Sequence, residues 1–404
     1  MDLTYGEEYE RFRDELREFL RGWPLTGEDA KRPLAEQEQL FRQCGIQRGY
    51  VYRHIPQEYG GAGGEPDVVI DRIIQEEYAA AGAPGALQGS QGAGMLAPTL
   101  LEMGREDQKQ RFIRRALTGE DVWCQGYSEP GAGSDLASLK SRAERVGDEW
   151  VIHGHKIWTS TADRADYMFG LFRTEPDAPR HAGISYLLLD MRQPGIEVRP
   201  LREMTGGALF NEVFFDGART PADWIVGERG QGWQVSRATL KHERNMIGNP
   251  NQARWLFEEL CEMLGDETRD GVPALEHPAV RQRLAEIEGY LLSAEYTSRR
   301  MLTSTARGDF GDLALPTLMM KLYGTGLRRR IVETAWEWLG ADALLEPTEE
   351  QQRPLASRSS GAWTARMMGS LGMAIAGGAS NIQRNLIGER GLGLPRDLRR
   401  SSGS

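Results

Sequence analysis

Chemistry in this chain has to come from a few short stretches. "GYSEPGAGSD", Gly126 to Asp135, sets Pro and small residues around two hydroxyls. Such a turn can bring backbone N–H groups up to an anion, as glycine-rich phosphate cradles do. Its spacing fits neither GxGxxG nor GxxxxGK[ST], which disfavours a dinucleotide fold or a P-loop. "LKHERNMIG" offers the carboxylate of Glu243, followed by Arg244. By itself that Glu reads as a solvated helix residue or half of a surface ion pair before it reads as a proton acceptor. "AIAGGASNIQRN", Ala374 to Asn385, places Gly377 and Gly378 among small residues, so a ligand can come close to the backbone there. His153 and His155 in "VIHGHKIW" share one strand face by their period of two, yet no Cys or acidic partner stands at metal-ligand spacing.

The elements that must position these residues fall into three regions. To about residue 121 the apolar period is helical: Tyr9, Phe12, Leu16, Phe19 and Leu20 recur at three and four, and "DVVIDRIIQEEYAAAG" and "APTLLEMGREDQKQRFIRRAL" follow a breaker-rich loop. From 122 to 232 the pattern alternates. "SRAERVGDEWVIHGHKIWTS" predicts two strands meeting at Gly147 and Asp148, and "DYMFGLF", "ISYLLLD", "IEVRPL" and "NEVFFDGART" predict four more. From 233 to 404 the helical period returns in "WQVSRATLKHERNMIG", "ALEHPAVRQRLAEIEGYLLSAEYTSRRML", "PTLMMKLYGTGLRRRIVETAWEWLG" and "GAWTARMMGSLGMAIAGGASNIQRNLIGER", four long helices that suggest an antiparallel bundle. The expected fold is therefore α+β and mostly α: a helical domain at 1–121, a β domain at 122–232 and a helix bundle at 233–404.

Composition narrows the class. With 404 residues and 40% hydrophobic content the chain can bury a sizeable core, and it has no apolar run near the roughly 20 residues needed to span a bilayer. The opening "MDLTYGEEYERFRDEL" is acidic and helical, unlike a signal or transit peptide, so a bacterial-type cytoplasmic location is expected. A formal net charge of -10 weighs against nucleic-acid binding. The 3 cysteines, Cys44, Cys124 and Cys261, form no CxxC pair, which points away from a disulfide framework or a zinc site.

"CQGYSEPGAGSD", "GHKIWTS", "FFDGARTPADWIVGERGQGW", "LKHERNMIG" and "GGASNIQRNLIGERGLGLPRD" occur together and in this order, and in them the chain resembles the acyl-CoA dehydrogenases over nearly its whole length. That resemblance implies an N-terminal helical domain, a middle β-barrel-like domain, a C-terminal four-helix bundle and bound FAD. It places Tyr127, Ser128, Gly133 and Ser134 in the segment lying against the cofactor, with the Ser128 hydroxyl on the isoalloxazine edge and Ser134 at the pyrophosphate and the substrate. Trp158 would lie against the flavin and Ser160 near N5. Adenine contacts are expected from Arg269, Glu337, Gly340 and Asn381. Here the chain departs from the family: "ETRDGVPALEHP" lacks a Phe near Arg269, and "EWLGADAL" puts Glu337 for Gln and Ala341 for a second Gly.

The implied reaction is α,β-dehydrogenation of an acyl-CoA thioester to the trans-2-enoyl-CoA. A carboxylate takes the pro-R α proton while the β hydrogen leaves as hydride to flavin N5. Many members carry that base in a "YEGTS" stretch near the C-terminus, where this chain has Ala376 and Gly377. The isovaleryl- and long-chain-type branch instead uses a Glu before Arg on the first bundle helix, which corresponds to Glu243. Arg244 would then order flavin or substrate, while Gly377 and Gly378 would wall the thioester, the Gly377 N–H donating to its oxygen. Electrons would pass to an electron-transfer flavoprotein, and the assembly would be a homotetramer, a dimer of dimers, or a hetero-oligomer with a related subunit. The alternatives are a structural or half-site subunit of such a hetero-oligomer, and a flavin oxidase or monooxygenase on the same fold.

Overall fold

The computed structural model describes residues 6–87, 90–247, 250–309, 314–346, 348 and 360–395, the side chains of 244–250, 314, 360 and 361 apart. Residue contacts divide the chain into two units, Met1–Arg202 with Ala208–Glu243, and Glu203–Gly207 with Arg244–Ser404.

In the first unit, helices α1 (Glu7–Leu20), α2 (Leu34–Gln47), α3 (Val68–Ala81), α4 (Ala97–Met103) and α5 (Glu106–Thr118) precede the sheet. α3 begins where the Asp67 carboxylate accepts from the amides of Val69 (2.8 Å) and Ile70 (3.2 Å), which satisfies donors a helix start leaves free. It ends at Gly82, whose φ of 58° suits a residue without a Cβ.

Eight strands follow: β1 (Trp123–Gly126), β2 (Arg142–Val146), β3 (Glu149–Ser160), β4 (Tyr167–Arg173), β5 (Ile184–Asp190), β6 (Ile196–Leu201), β7 (Phe210–Pro221) and β8 (Ile225–Val226). They form one sheet in the order β6-β7-β3-β2-β4-β5-β8, with β1 pairing in parallel on β4. All six expected strands are present, and β1 and β8 are added, segments of 4 and 2 residues too brief to show a period. Trp150, Ile152, Met168, Phe172, Leu187, Leu189, Val213 and Phe215 make the core of this domain. Each large side chain so buried contributes about 1.5–3 kcal/mol.

α6 (Gly232–Ile247) closes the first unit as far as Glu243. The second unit holds α7 (Pro250–Gly265), the short strands β9 (Thr268–Arg269) and β10 (Val272–Pro273), α8 (Pro278–Ala306), α9 (Ala314–Leu339), α10 (Ser360–Met373) and α11 (Ser380–Leu386). Its core draws on α7, α8, α9 and α10 through Leu256, Phe257, Leu260, Ile287, Leu291, Leu327, Ile331 and Trp363.

Two expectations change. The bundle core includes α7, which the helix reading passed over, although Ala253, Leu256, Phe257, Leu260 and Leu264 stand at helical spacing and are all buried. The last expected helix is broken: α10 stops at Met373 and α11 starts at Ser380. Gly377 (φ 62°) and Gly378 (φ 99°) lie in the break, in the left-handed region that a helix of L-residues does not enter. The hairpin β9–β10 turns at Asp270 and Gly271, both with positive φ, inside the segment expected to supply Arg269.

Candidate functional site

The "GYSEPGAGSD" loop folds on itself and is pinned from below. Glu129 and Ala132 exchange amide bonds of 3.1 and 3.0 Å around Pro130 and Gly131, a tight turn of the kind Pro and Gly favour. The Glu129 carboxylate accepts from the amides of Lys140 (2.6 Å) and Ser141 (2.9 Å) and from Lys156 Nζ (2.8 Å) on β3. Lys156 is fully buried, donates also to the Tyr127 carbonyl (3.2 Å) and stands 5.1 Å from the centre of the Phe172 ring.

Burial pushes the Lys156 ammonium down to about 8, with Glu129 opposing that fall. Burial also pushes the Glu129 carboxyl up, but Lys156 and the two amides outweigh it and hold the group below its ordinary value. A charged pair in a low-dielectric interior persists only when each group is met in this way. Neither residue was singled out in the sequence, although Glu129 sits inside the loop motif itself.

Above this anchor the loop is open. Gly133 and Ser134 are exposed, and a Cβ added at Gly131 or Gly133 would meet no atom within 4 Å. The Ile157 amide donates to the Ser128 carbonyl at 2.9 Å, which draws the loop onto the end of β3. There the β3–β7 register shifts between Lys156 and Thr159. Trp158 has φ 59° and Thr161 φ 60°, conformations that cost a bulky or β-branched residue energy and that cluster at functional sites. The bulge turns the Trp158 indole outward: it is 58% exposed and meets Phe210 edge to face, centroids 5.8 Å apart. Asn211, fully buried, holds the bulge by donating to the Thr159 carbonyl at 3.1 Å.

Ser128, Trp158 and Ser160 are thereby brought together, with Gly133 and Ser134 on the adjoining open turn. An exposed indole, hydroxyls on the two segments beside it and room over two glycines fit a planar, hydrogen-bonding cofactor with an anionic tail, and FAD has that chemistry.

On α6 the face toward the sheet and α4 is polar. Thr239, fully buried, lies 2.9 Å from Thr99 Oγ1 and 3.5 Å from the Tyr186 hydroxyl. Thr99 in turn donates to the Met95 carbonyl at 2.7 Å. Tyr127 packs edge-on to Tyr186, ring centroids 6.2 Å apart, and its hydroxyl feels Tyr186, Thr239 and Glu243. Burial above all, then Tyr186, pushes that phenol well above its ordinary value, so it stays a neutral donor at physiological pH.

Glu243 is one turn beyond Thr239, on the same side of the helix, and half-buried. The residue before Ser128 thus packs on Tyr186, whose hydroxyl stands beside Thr239, one turn before Glu243. His242 points elsewhere: burial first, and Lys241 next, depress its imidazole, and Glu102 and His54 are the other charges it feels. The Arg244 side chain lies outside the described residues.

His153 and His155 each meet a carboxylate, Asp216 at 3.4 Å and Glu212 at 2.9 Å, and His155 stacks on Phe214 at 4.1 Å. Among the described residues no group of His, Cys, Asp or Glu could hold a metal ion.

In the second unit three of the expected adenine residues, Arg269, Glu337 and Gly340, gather at the end of α9. The Arg269 guanidinium lies 4.1 Å over the Trp338 ring and donates to the Trp338 carbonyl. Glu337 and Gly340 flank that Trp, and both are exposed. Trp338 went unnoticed in the sequence, where the Trp after Glu337 was the available signal. Asn381, exposed on α11, accepts from Arg384 at 3.1 Å and is not joined to this group by any described contact. Gly378 cannot take a side chain without displacing Gln383, whose Nε2 would stand 2.5 Å from an added Cβ.

Family models described as acyl-CoA dehydrogenase N-terminal, middle and C-terminal domains match residues 6–120, 124–218 and 230–392. The chain is 36% identical over 400 residues to acyl-CoA dehydrogenase IpdE1 of Mycobacterium tuberculosis, covering 96% of this chain and 99% of that protein. It is 27% identical over 320 residues to the human mitochondrial short-chain specific acyl-CoA dehydrogenase, covering 77% and 76%. Among solved structures it is similar to a Tcur3481-Tcur3483 steroid ACAD, with TM-score 0.77, 30% identity and coverage of 98% and 100%. It is also similar to the ChsE4-ChsE5 complex of Mycobacterium tuberculosis, with TM-score 0.75, 29% identity and coverage of 98% and 100%. Among the described residues, no helix is long and apolar enough to cross a membrane.

Proposed function

The chain belongs to the acyl-CoA dehydrogenase family, oxidoreductases that act on the CH–CH groups of acyl-CoA, and from that premise we propose that it desaturates an acyl-CoA thioester with Glu243 as the base. The observation that carries this reading is the position of Glu243, one helical turn beyond Thr239, whose hydroxyl meets Thr99 and Tyr186, with Tyr127, the neighbour of Ser128, packed edge-on against Tyr186. A base must sit within hydrogen-bond reach of the proton it takes. Packing of Tyr127 on Tyr186, and of Tyr186 on Thr239, sets its helix against the cofactor loop.

In this reading Ser128 and Ser160 offer hydroxyls to the flavin edge, Trp158 offers its face, and Gly133 and Ser134 meet the pyrophosphate. Bound FAD would supply the acceptor for the β hydrogen. Ser134 also meets the substrate. Gly377 donates its N–H to the thioester oxygen as negative charge develops there, and Gly378 completes the wall beside it. Arg244 orders the site. Arg269, Glu337, Gly340 and Asn381 serve the adenine end of FAD. Electrons leave to an electron-transfer flavoprotein.

For the acyl group we infer a ring-bearing, steroid-type substrate. The support is the likeness to a steroid ACAD at 30% identity, together with glycine rather than a carboxylate at residue 377, which frees space for bulk near the α carbon. For the assembly we infer a hetero-oligomer with a related subunit, supported by the likeness to the ChsE4-ChsE5 complex.

Anaerobic mixing with straight-chain, branched and ring-bearing acyl-CoAs tests the reading. Ring-bearing thioesters are expected to bleach the flavin absorbance fastest. Loss of the base assignment would follow if no acyl-CoA bleached it, and rapid reoxidation by air would favour the oxidase alternative.

Trp158→Ala is expected to weaken retention of FAD about fivefold, the equivalent of a stacking contribution near 1 kcal/mol. Equilibrium dialysis of the apoprotein against FAD checks this, and unchanged affinity would remove the indole from the cofactor site.

A further inference from the structure

Lys321, on α9, is almost wholly buried, 1% exposed. An ammonium withdrawn from water must be met by acceptors. Two that meet it are main-chain carbonyls of the break between α10 and α11, Gly378 O at 2.9 Å and Ala374 O at 3.4 Å. These carbonyls stand at the two ends of the loop that contains Gly377. Ser380 closes the same loop, its amide and hydroxyl donating to Ala374 O at 3.0 and 3.2 Å. Gln383 Nε2 donates to the Gly377 and Gly378 carbonyls at 3.2 and 3.4 Å.

The carbonyls of the turn are thus drawn toward Lys321 and Gln383. Among the described residues, the amides of Gly377 and Gly378 donate to no acceptor. Successive free N–H groups in a turn with left-handed residues form an anion-receiving concavity. Two adjacent glycines would otherwise sample many conformations, and a donor stabilises developing charge well only if it is already oriented. One cation gripping both ends of the loop supplies that orientation.

We propose that Lys321 is a positioning residue for the reaction: by holding the Ala374 and Gly378 carbonyls it aims the Gly377 N–H at the thioester oxygen. The proposal rests on the reading of Gly377 given under Proposed function. It makes Lys321 act through the turn, without touching substrate itself.

The test uses the full chain carrying FAD, as wild type and as Lys321→Met, which keeps the aliphatic stem and removes the ammonium. Amide hydrogen exchange across residues 374–379 is followed by mass spectrometry, and flavin bleaching by an accepted acyl-CoA is followed anaerobically. The expected result is exchange at least about tenfold faster in that segment, with α7 and α8 unchanged. Bleaching slows about 10²-fold, the scale of one lost oxyanion donor, while KM moves by less than about threefold, since substrate binding does not need the ammonium.

Unchanged exchange overturns the proposal, because Lys321 would then not hold the turn. Faster exchange with an unchanged bleaching rate also overturns it, and locates the fault in the reading of Gly377 as thioester donor, leaving Glu243 untouched. A wild type that no acyl-CoA bleaches would sink the functional reading on its own, and the exchange measurement would still report on the turn. Should Lys321→Met fail to fold, Gln383→Met removes the other side-chain donor to the Gly378 carbonyl, which Lys321 also holds, and with it the bond to the Gly377 carbonyl. Its expected effect is the same pair of changes at about tenfold, and the absence of both overturns the proposal.

Discussion

Glu243→Gln is expected to leave the protein yellow and able to bind acyl-CoA, while flavin bleaching slows about 10³–10⁴-fold, toward the upper range for a lost general base. The substitution preserves the size and the hydrogen-bonding shape of the side chain but removes its ability to accept a proton. Because the amide keeps the carboxylate's size and Glu243 lies one turn beyond Thr239, the Thr239 contacts to Thr99 and Tyr186 are untouched. Stability should therefore hold while the rate collapses. Stopped-flow absorbance under anaerobic conditions reads the rate, and thermal unfolding reads the stability. A rate within tenfold of wild type would move the base to another carboxylate. A rate loss accompanied by loss of FAD would show a structural role instead, so flavin content is measured on the same sample.

The second large effect concerns the loop that carries Ser128. Glu129→Gln removes the charge that Lys156 faces inside the sheet, leaving a fully buried ammonium with a neutral amide and the Tyr127 carbonyl. Removing one partner of a buried pair costs about 3–5 kcal/mol. The expected outcome is a lower urea midpoint with an unchanged slope, and loss of FAD on gel filtration because the loop is no longer pinned to β3. Adding Lys156→Met to the same chain takes away the stranded charge, so the double variant should recover part of the stability. A double variant less stable than Glu129→Gln would show that packing around Lys156, against Phe172 among others, outweighs the electrostatics.

The pH dependence follows from the sign of the Glu129 shift. Its folded-state value lies below the ordinary one, so the unfolded chain binds the extra proton in acid. The stabilisation is full above the ordinary value and is lost as pH falls through the depressed one. Urea midpoints of wild type should decline on acidification over that window, and those of the double variant should decline less.

Much of the architecture was legible from one-letter code. Short apolar runs bounded by Pro, Gly and Asp, as in "DYMFGLF" and "ISYLLLD", mark strands, and both are present as β4 and β5, buried on both faces. The stripe in α7 was equally legible and went unread, its start hidden behind Asn249 and Pro250. Gly377 and Gly378 did not signal the break in the helix: glycine lowers helix propensity by about 1 kcal/mol without forbidding a helix, so pattern alone cannot choose. For Glu243 local pattern was silent, and only the resemblance of several motifs in order singled it out.

What the sequence determined by itself is the succession of helix, sheet and helix, the strands of the sheet, and the residue types available for chemistry, since these depend on periodicity and turn composition over a few neighbours. Tertiary structure decided which distant polar groups meet. Glu129 and Lys156 are 27 residues apart, Lys321 and Gly378 57, and Thr99 and Thr239 140. It also decided that Trp158 turns outward at a bulge and that the Gly377 turn faces its carbonyls to Lys321. The physical reason is desolvation: a buried charge or hydroxyl must find a partner, and which partner is within reach is settled only when the chain has folded around it.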